Sequence, residues 1–564
     1  MGGRLDETVW GINTGLSQSE YLWNTVERAG KNPILVKWEM SWPPTVTTGV
    51  QVEGTGPGVS NHHQIAGYHL FVGGKWSPRP IGGQRDPETL DPSSLQNVRN
   101  ADPVTIDPAE GWTNLPESSQ PAREVEMVIQ PLARGRDTML RGREGTPKPF
   151  YGLVYASNGN GYDRVRVCRS RDASDSVSDL AVGQWTDWWL DSFTIDGEEL
   201  KGYVKMKLVT LSPKADMFEL FVPQIWPTEG YTKPLEVAHE IDEQVGNFLQ
   251  NPARDALGVV DDDSYFELLD FHHQRLADVA KYLTGSREWD TPFVETHASY
   301  YTNHFFLGQE DEISGADEAT FERSRQGVVR TYKSIDDMIG CLVELADDGT
   351  VVTVVSDHGG TPNQFQAVKI ERVLEEAGFL VYKEDSDGKS EIDWSKTRAA
   401  SVGLVHIFIN LKGREPDGIV EPEDYQKTQL EITAALHSYR DEATGRHPFA
   451  LALTGQDAEM VNLWSDLVGD VVYALRPEFD GAHGKQFPSA SFGIAGQHST
   501  FVMAGAGVRK CVELERQVRV VDVAPTLCYL LGLPMPKNVE GGVVYEALED
   551  PDWHLTAMGI KSEA

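Results

Sequence analysis

The residues best suited to chemistry are Asp357 and His358, set in Ser-Asp-His-Gly-Gly at 356–360, directly behind the apolar run Val-Val-Thr-Val-Val. An adjacent carboxylate and imidazole on a glycine-flanked turn can both reach one divalent cation, at about 2.0–2.2 Å from Zn²⁺. Gly359 and Gly360 leave the backbone room to bend away. In open α/β sheets ligands bind beyond the carboxyl ends of strands, which is where this turn stands if the run before it is a strand. A turn that merely caps the next helix is the alternative these five residues leave open.

Other candidate groups read as structural. His272 and His273 fall within a predicted helix and His62 and His63 in a loop, so surface or packing roles are expected for them. The run Asp261 to Asp263 fits a solvated helix start; a calcium loop would need alternating oxygen ligands and a terminal bidentate Glu. Asp522, Pro525 and Thr526 fit a turn and helix N-terminus. The four cysteines, Cys168, Cys341, Cys511 and Cys528, lack the short spacings of zinc knuckles and redox motifs.

Residues 19–38 read as an amphipathic helix, a glycine stop and a buried strand. From about 51 to 235 short alternating runs such as GYHLFVGG, EVEMVIQPL and LKGYVKMKLVTLS predict a mostly β insertion. Helix and strand then alternate: a helix over 263–283, the strand TPFVETHAS, a long helix over 321–347, and VVTVVS, suited to the centre of a parallel sheet. Residues 400–475 form a mixed segment and RVVDVAPTLCYLLGL a last helix. The implied division is 1–50 and 236–564 as α/β core around an insertion at 51–235.

The chain has 564 residues with 86 acidic against 50 basic side chains, a formal charge of -36. Such self-repulsion is tolerated where the Debye length falls to about 3 Å near 1 M salt, so a salt-adapted, halophilic protein is expected. A calcium-binding or solvating acidic surface on a mesophilic protein is the alternative. The charge argues against nucleic-acid and anionic-membrane partners. No stretch has the roughly 18 apolar residues of a membrane span. The opening MGGRLDETVWG has neither a basic region nor an apolar run, and a cytoplasmic location is expected.

Context sharpens the Asp-His turn. A helix containing Tyr332, Asp336 and Gly340 runs into the strand ending in SDHG, and far downstream stand GQHSTFVMAGAG and VRVVDVAPTLCYLLGLPMPKNVEGGVVYEAL. With LWNTVERAGKNPILVKWEMSWPP at 22–44 and HIFINLKGREPDGIVEPEDY at 406–425, these segments resemble the alkaline phosphatase superfamily. The branch is that of type I phosphodiesterases, nucleotide pyrophosphatases and their phosphohydrolase or phosphomutase relatives. The resemblance covers about 19–50 and 260–548. It implies an alkaline phosphatase-like three-layer α/β/α sandwich and a phosphohydrolase of phosphodiester, pyrophosphate or phosphomonoester substrates. Two divalent metal ions, zinc first and manganese second, would clamp the phosphoryl group. Carried over by motif, Asp357 and His358 hold one ion, and His498 in GQH holds the other with His304 in YYTNHFF. At the latter position the family shows Asp-x-x-x-His, whereas this chain has Tyr300 in place of the Asp. A phenol with a pKa of about 10 is a poorer ligand than a carboxylate at neutral pH. Either Tyr300 itself ligates, or Glu295, His297 or Asn303 substitutes for it, or the second site is weak.

The resemblance also implies a first buried strand ending in a metal-binding Asp, followed by a nucleophilic Thr or Ser. Neither is found, since the start resembles the region just after the nucleophile. The expected place of both is therefore upstream of Met1, in the same chain or in a separate N-terminal fragment. A rival alignment takes Asp6 as first ligand and Thr45, Thr47 or Thr48 as nucleophile, but only five residues precede Asp6 and none form a buried strand. A non-catalytic or split family member that binds metal or phosphate, or serves as a scaffold, is the second functional reading. A phosphomutase or sulfatase on the same fold is a third, although nothing matches the Cys-x-Pro-x-Arg type motif of sulfatases.

Overall fold

The computed structural model describes residues 5, 14–55, 63–74, 101–132, 143–310, 316–360, 368–384, 390–461, 463, 465, 467–476, 478, 479 and 498–557. It is a mixed α/β structure with several sheets. Helix α1 (Leu22–Arg28) ends at Gly30, whose φ of 75° is the left-handed conformation that terminates helices without a Cβ penalty. Strand β1 (Pro33–Val36) follows and is buried along its whole length.

Around β1 runs a short, mostly parallel sheet. Strand β2 (Val50–Val52) pairs with it on one side, Ile34 opposite Val50. Strand β3 (Thr232–Lys233) joins β2 antiparallel, and strand β4 (Thr291–Val294) pairs parallel with the other side of β1, Val36 opposite Val294. The order is β3-β2-β1-β4. Side chains alternate as the pleat requires. Ile34 and Val36 pack with Leu276, Ala280 and Leu283 of α2 (Asp262–Ser286), while Leu35 packs with Trp23 of α1. A helix therefore lies on each face of this sheet. Helices α3 (Ala298–Phe306) and α4 (Glu318–Val343) follow β4, and Met338 of α4 joins the α2 face.

Strand β5 (Val351–Val355) pairs antiparallel with β6 (Phe501–Gly505), Val355 opposite Phe501, in a separate two-stranded sheet. Its sequence predicts a central parallel strand, yet it is only partly buried. The edge turned away from β6 has no strand among the described residues, so its apolar faces stay partly open.

Between Val52 and Val237 the described residues form strands and no helix. They make sheets of five, four and three strands around a core that includes Val125, Met127, Phe150, Phe218 and Leu220. Residues 370–479 have a further core, with Ile407, Ile432 and Phe449 between a four-stranded sheet and two helices. Leu35→Ala removes a fully buried side chain packed with Trp23. It is expected to destabilise the β1 sheet by about 2–5 kcal/mol, read from urea denaturation at fixed salt.

Candidate metal centre

Asp357 and His358 form the turn after β5. The pairing with β6 extends past the strand ends: the Ser356 N–H donates to the Thr500 carbonyl at 3.0 Å, and the Thr500 N–H donates to Ser356 Oγ at 2.9 Å. Asp357 and His358 on one strand and His498 on the other thus leave the ladder at the same end. The turn is exposed, with 82% of the Asp357 side chain and 61% of the His358 side chain open to solvent. Asp357 Oδ1 accepts the His358 N–H at 2.9 Å. His358 Nδ1 lies 2.6 Å from the Gly359 carbonyl, which can only accept, so Nδ1 carries the proton and Nε2 keeps its lone pair for a metal. His498 Nε2 lies 2.9 Å from Gln517 Nε2 and accepts from that amide, which must turn aside before this nitrogen can ligate.

His304 sits on α3, past the carboxyl end of β4, its ring 4.4 Å centroid to centroid from Tyr300. The two groups of residues approach through Gly360. A Cβ on that glycine would lie 3.1 Å from Asn303 Nδ2 and 3.4 Å from Leu307 Cδ2. The absence of a side chain there lets the Asp-His turn rest against the helix that carries Tyr300 and His304.

A second cluster occupies the carboxyl ends of β1, β2 and β4. Lys37, 0% exposed, donates to Glu39 Oε1 at 2.7 Å and Glu295 Oε2 at 3.2 Å. His297 Nδ1 lies 2.8 Å from Glu39 and 2.9 Å from Glu295. Burial works to lower the His297 pKa, but hydrogen bonds and charge from Glu295 and Glu39 outweigh it and raise the value to about 9. Burial likewise opposes the Lys37 charge, and Glu295 and Glu39 more than restore it. Glu39, Glu295 and His297 together could hold a metal ion, in which case the ion would displace the His297 proton. Next door Glu53, fully buried, is held ionised against its burial by His63 and Thr55. Lys37 and Glu53 have φ of 54° and 55°, a region costly for residues with a Cβ and concentrated at functional sites. Sequence reasoning named Glu295 and His297 only as substitutes for Tyr300 and missed Lys37, Glu39 and Glu53. The available signal was a charged residue directly after the buried strands β1 and β2.

The remaining residues take structural positions. His273 is buried between Ser334 Oγ and Thr296 Oγ1, at 2.8 Å each, tying α2 to α4 and to the end of β4. His272 is buried beside it, and burial pushes its pKa down. Asp261 caps α2 by accepting the Ser264 N–H at 2.9 Å. Asp522 is buried, accepts the Gly542 N–H at 2.9 Å and precedes helix α5 (Val523–Leu530). Thr47 stands before the amino end of β2. Its N–H and those of Thr48 and Gly49 donate to Glu27 Oε1 at 2.7, 2.7 and 2.9 Å, and its hydroxyl donates to Glu27 Oε2 at 3.1 Å. Thr45 Oγ1 accepts from Trp23 Nε1 at 2.8 Å. Asp6 and His62 lie outside the described residues. So does Met1, and with it the expectation of a metal-binding Asp and a nucleophile upstream of Met1.

The family model for type I phosphodiesterase / nucleotide pyrophosphatase matches residues 162–497, more than half of the chain. The chain belongs to this family. Among solved structures, that of the alkaline phosphatase PafA is similar at 14% identity and a TM-score of 0.36, over 52% of this chain and 56% of that one. The chain thus spans a little over half the length of that phosphatase. No curated protein matches it.

For this phosphodiesterase-family chain, Asp357→Ala should lower the zinc or manganese content measured by elemental analysis, because it removes the one carboxylate of the 356–360 turn. A second outcome concerns acid. Burial outweighs other influences on His273 and holds its pKa at about 4, below the ordinary 6.5, so the neutral ring is the form the fold accepts. This contribution to stability is complete above about pH 6.5 and falls as pH drops toward 4, by about 3 kcal/mol. His273→Gln should flatten that part of a pH–stability curve.

Proposed function

We propose that the chain carries the metal-binding part of a phosphohydrolase centre, with Asp357 and His358 holding one divalent ion and His498 with His304 holding a second. The observation that carries this reading is the shared end of the β5–β6 ladder, where the Asp-His turn meets the segment of His498 and rests on α3. The donors fit zinc or manganese: one exposed carboxylate, an imidazole with Nε2 available, and two more imidazoles. Bound ions would supply Lewis-acid charge to the phosphoryl oxygens. The protein's own part is to orient these groups. The Gly359 carbonyl fixes the His358 tautomer, Gln517 holds His498, and the bare Gly360 lets the turn approach α3. Tyr300 stands where the family places a carboxylate, which weakens the second site. On this reading residues 1–50 and 236–564 build a three-layer α/β/α core, and 51–235 are an insertion that walls the pocket.

The substrate is a small phosphodiester, pyrophosphate or phosphomonoester rather than nucleic acid, which a formal charge of -36 repels. The same charge supports residence in a salt-rich cytoplasm, and no described helix is long and apolar enough to cross a membrane. The attacking hydroxyl is not that of Thr47, which is committed to Glu27 before the amino end of β2, while the turn and α3 lie past carboxyl ends. A scaffold without turnover is the second reading, favoured by Tyr300 and by the engaged Thr47.

Purified chain should therefore hydrolyse nitrophenyl phosphate and bis-nitrophenyl phosphate only in traces with Zn²⁺ or Mn²⁺, since loss of a covalent nucleophile costs about a millionfold. His358→Ala and His498→Ala should abolish those traces. Metal-independent hydrolysis would refute the site. Turnover at about 1–10³ s⁻¹ by the chain alone would restore the alignment through Asp6 and the Thr45 to Thr48 region.

A further inference from the structure

We infer that Lys205 is a latch that fastens the β-rich region to helix α2 and keeps it fastened in molar salt. Lys205 lies between the strands Glu198–Val204 and Lys207–Leu211. The segment beside it is zipped in place: the Thr186 N–H donates to the Met206 carbonyl at 2.8 Å, the Leu208 N–H donates to the Gln184 carbonyl at 3.1 Å, and Trp185 forms a bridge with Lys207. This pairing brings two indoles to Lys205, whose Nζ lies 5.2 Å from the Trp185 ring centroid and 5.1 Å from that of Trp188. The third ring comes from the other side of the junction. Phe271 of α2 is 6.0 Å from the same nitrogen, and its ring centroid is 5.2 Å from that of Trp188.

Among the described residues Lys205 has no ion pair and no hydrogen bond. Burial pushes its pKa down, and Glu267 and Asp187 offset this only in part. Lys207, two residues on, is held differently: it donates to Glu267 Oε2 at 2.9 Å, with half of the Glu267 side chain in water. Dissolved salt screens such a pair, since the Debye length falls to about 3 Å near 1 M. A cation seated on ring faces is attracted by their quadrupoles, its stem adds apolar contact, and the rings exclude counter-ions from the sides they cover. On α2 the contacts are spaced one turn apart. Glu267 accepts from Lys207 and from the Trp185 indole N–H, while Phe271 carries Lys205 and, at 5.2 Å, the Arg275 guanidinium. Beside the apolar packing of Leu70 and Phe221 with Phe266 and Leu269, the junction thus has one ionic clamp that salt weakens and one aromatic clamp that it does not.

The test is hydrogen exchange followed by mass spectrometry on the full chain at about 0.5 M and about 3 M KCl, with exchange in 267–275 expressed relative to the 370–479 core. The parent chain should keep the same relative protection, within about twofold, at both salt concentrations. Lys205→Met keeps the stem and loses the charge; it should speed exchange about threefold to tenfold at both concentrations, while Lys205→Arg, which still lies on the rings, should stay near the parent. Glu267→Gln should speed exchange at low salt and lose that effect at high salt. Parity of Lys205→Met with the parent would reduce Lys205 to stem packing, and an effect that disappears at high salt would make it an ordinary ion pair; either result overturns the latch. If Lys205→Met misfolds by circular dichroism, Phe271→Leu takes its place under the same criteria, and a parent whose protection falls about tenfold between the two salt concentrations overturns the proposal without any variant. The readout needs neither metal nor hydrolysis, so a failed phosphohydrolase assay and a failed latch remain distinguishable.

Discussion

The carboxyl edge of the central sheet depends on a buried ammonium. Lys37 has no solvent to stabilise it, and a lone buried charge costs several kcal/mol. Glu39 and Glu295 must therefore stay at its side, which fixes β1 against β4; His297 in turn shares both carboxylates and fixes the start of α3. With α3 held, His304 and Tyr300 have a defined position, and Asn303 provides the surface on which Gly360 rests. The order of the candidate metal centre is inherited from this ion network.

Charge acts on two separate scales. The surface carries a large acidic excess that dissolved salt screens. Lys37 and His297 balance Glu39 and Glu295 inside, and burial shields these pairs from salt. High ionic strength thus relieves repulsion outside without loosening the pairing that holds β1 to β4.

Much of the α/β core could be read from sequence because its signals are local. The buried run Ile34 to Val36, the glycine stop at Gly30, the Asp261 cap and the strand before Asp357 are each visible within a few residues. The family was legible from motifs spaced along the chain. That His498 leaves its strand beside the Asp-His turn has a geometric cause, the antiparallel pairing of Val355 with Phe501, and so distant a pairing has no local trace. The role of Lys37 was hidden for the opposite reason. A lysine after a strand usually reaches water, and only the tertiary placement of Glu295 shows that this one does not. Likewise the sequence of β5 announces a central strand, while among the described residues it pairs with β6 alone.

The buried apolar side chains gather in separate cores, among them one in the β-rich region around Phe150 and Phe218, one around β1 and α2, and one within 370–479. Separate cores melt as separate cooperative units. A single melting temperature is then an average over regions with different fates. If the 370–479 region stays folded while the β1 sheet opens, damage near Leu35 and damage near Ile407 leave different partly folded chains behind. Those species expose different apolar surfaces, and aggregation of this protein has more than one starting point.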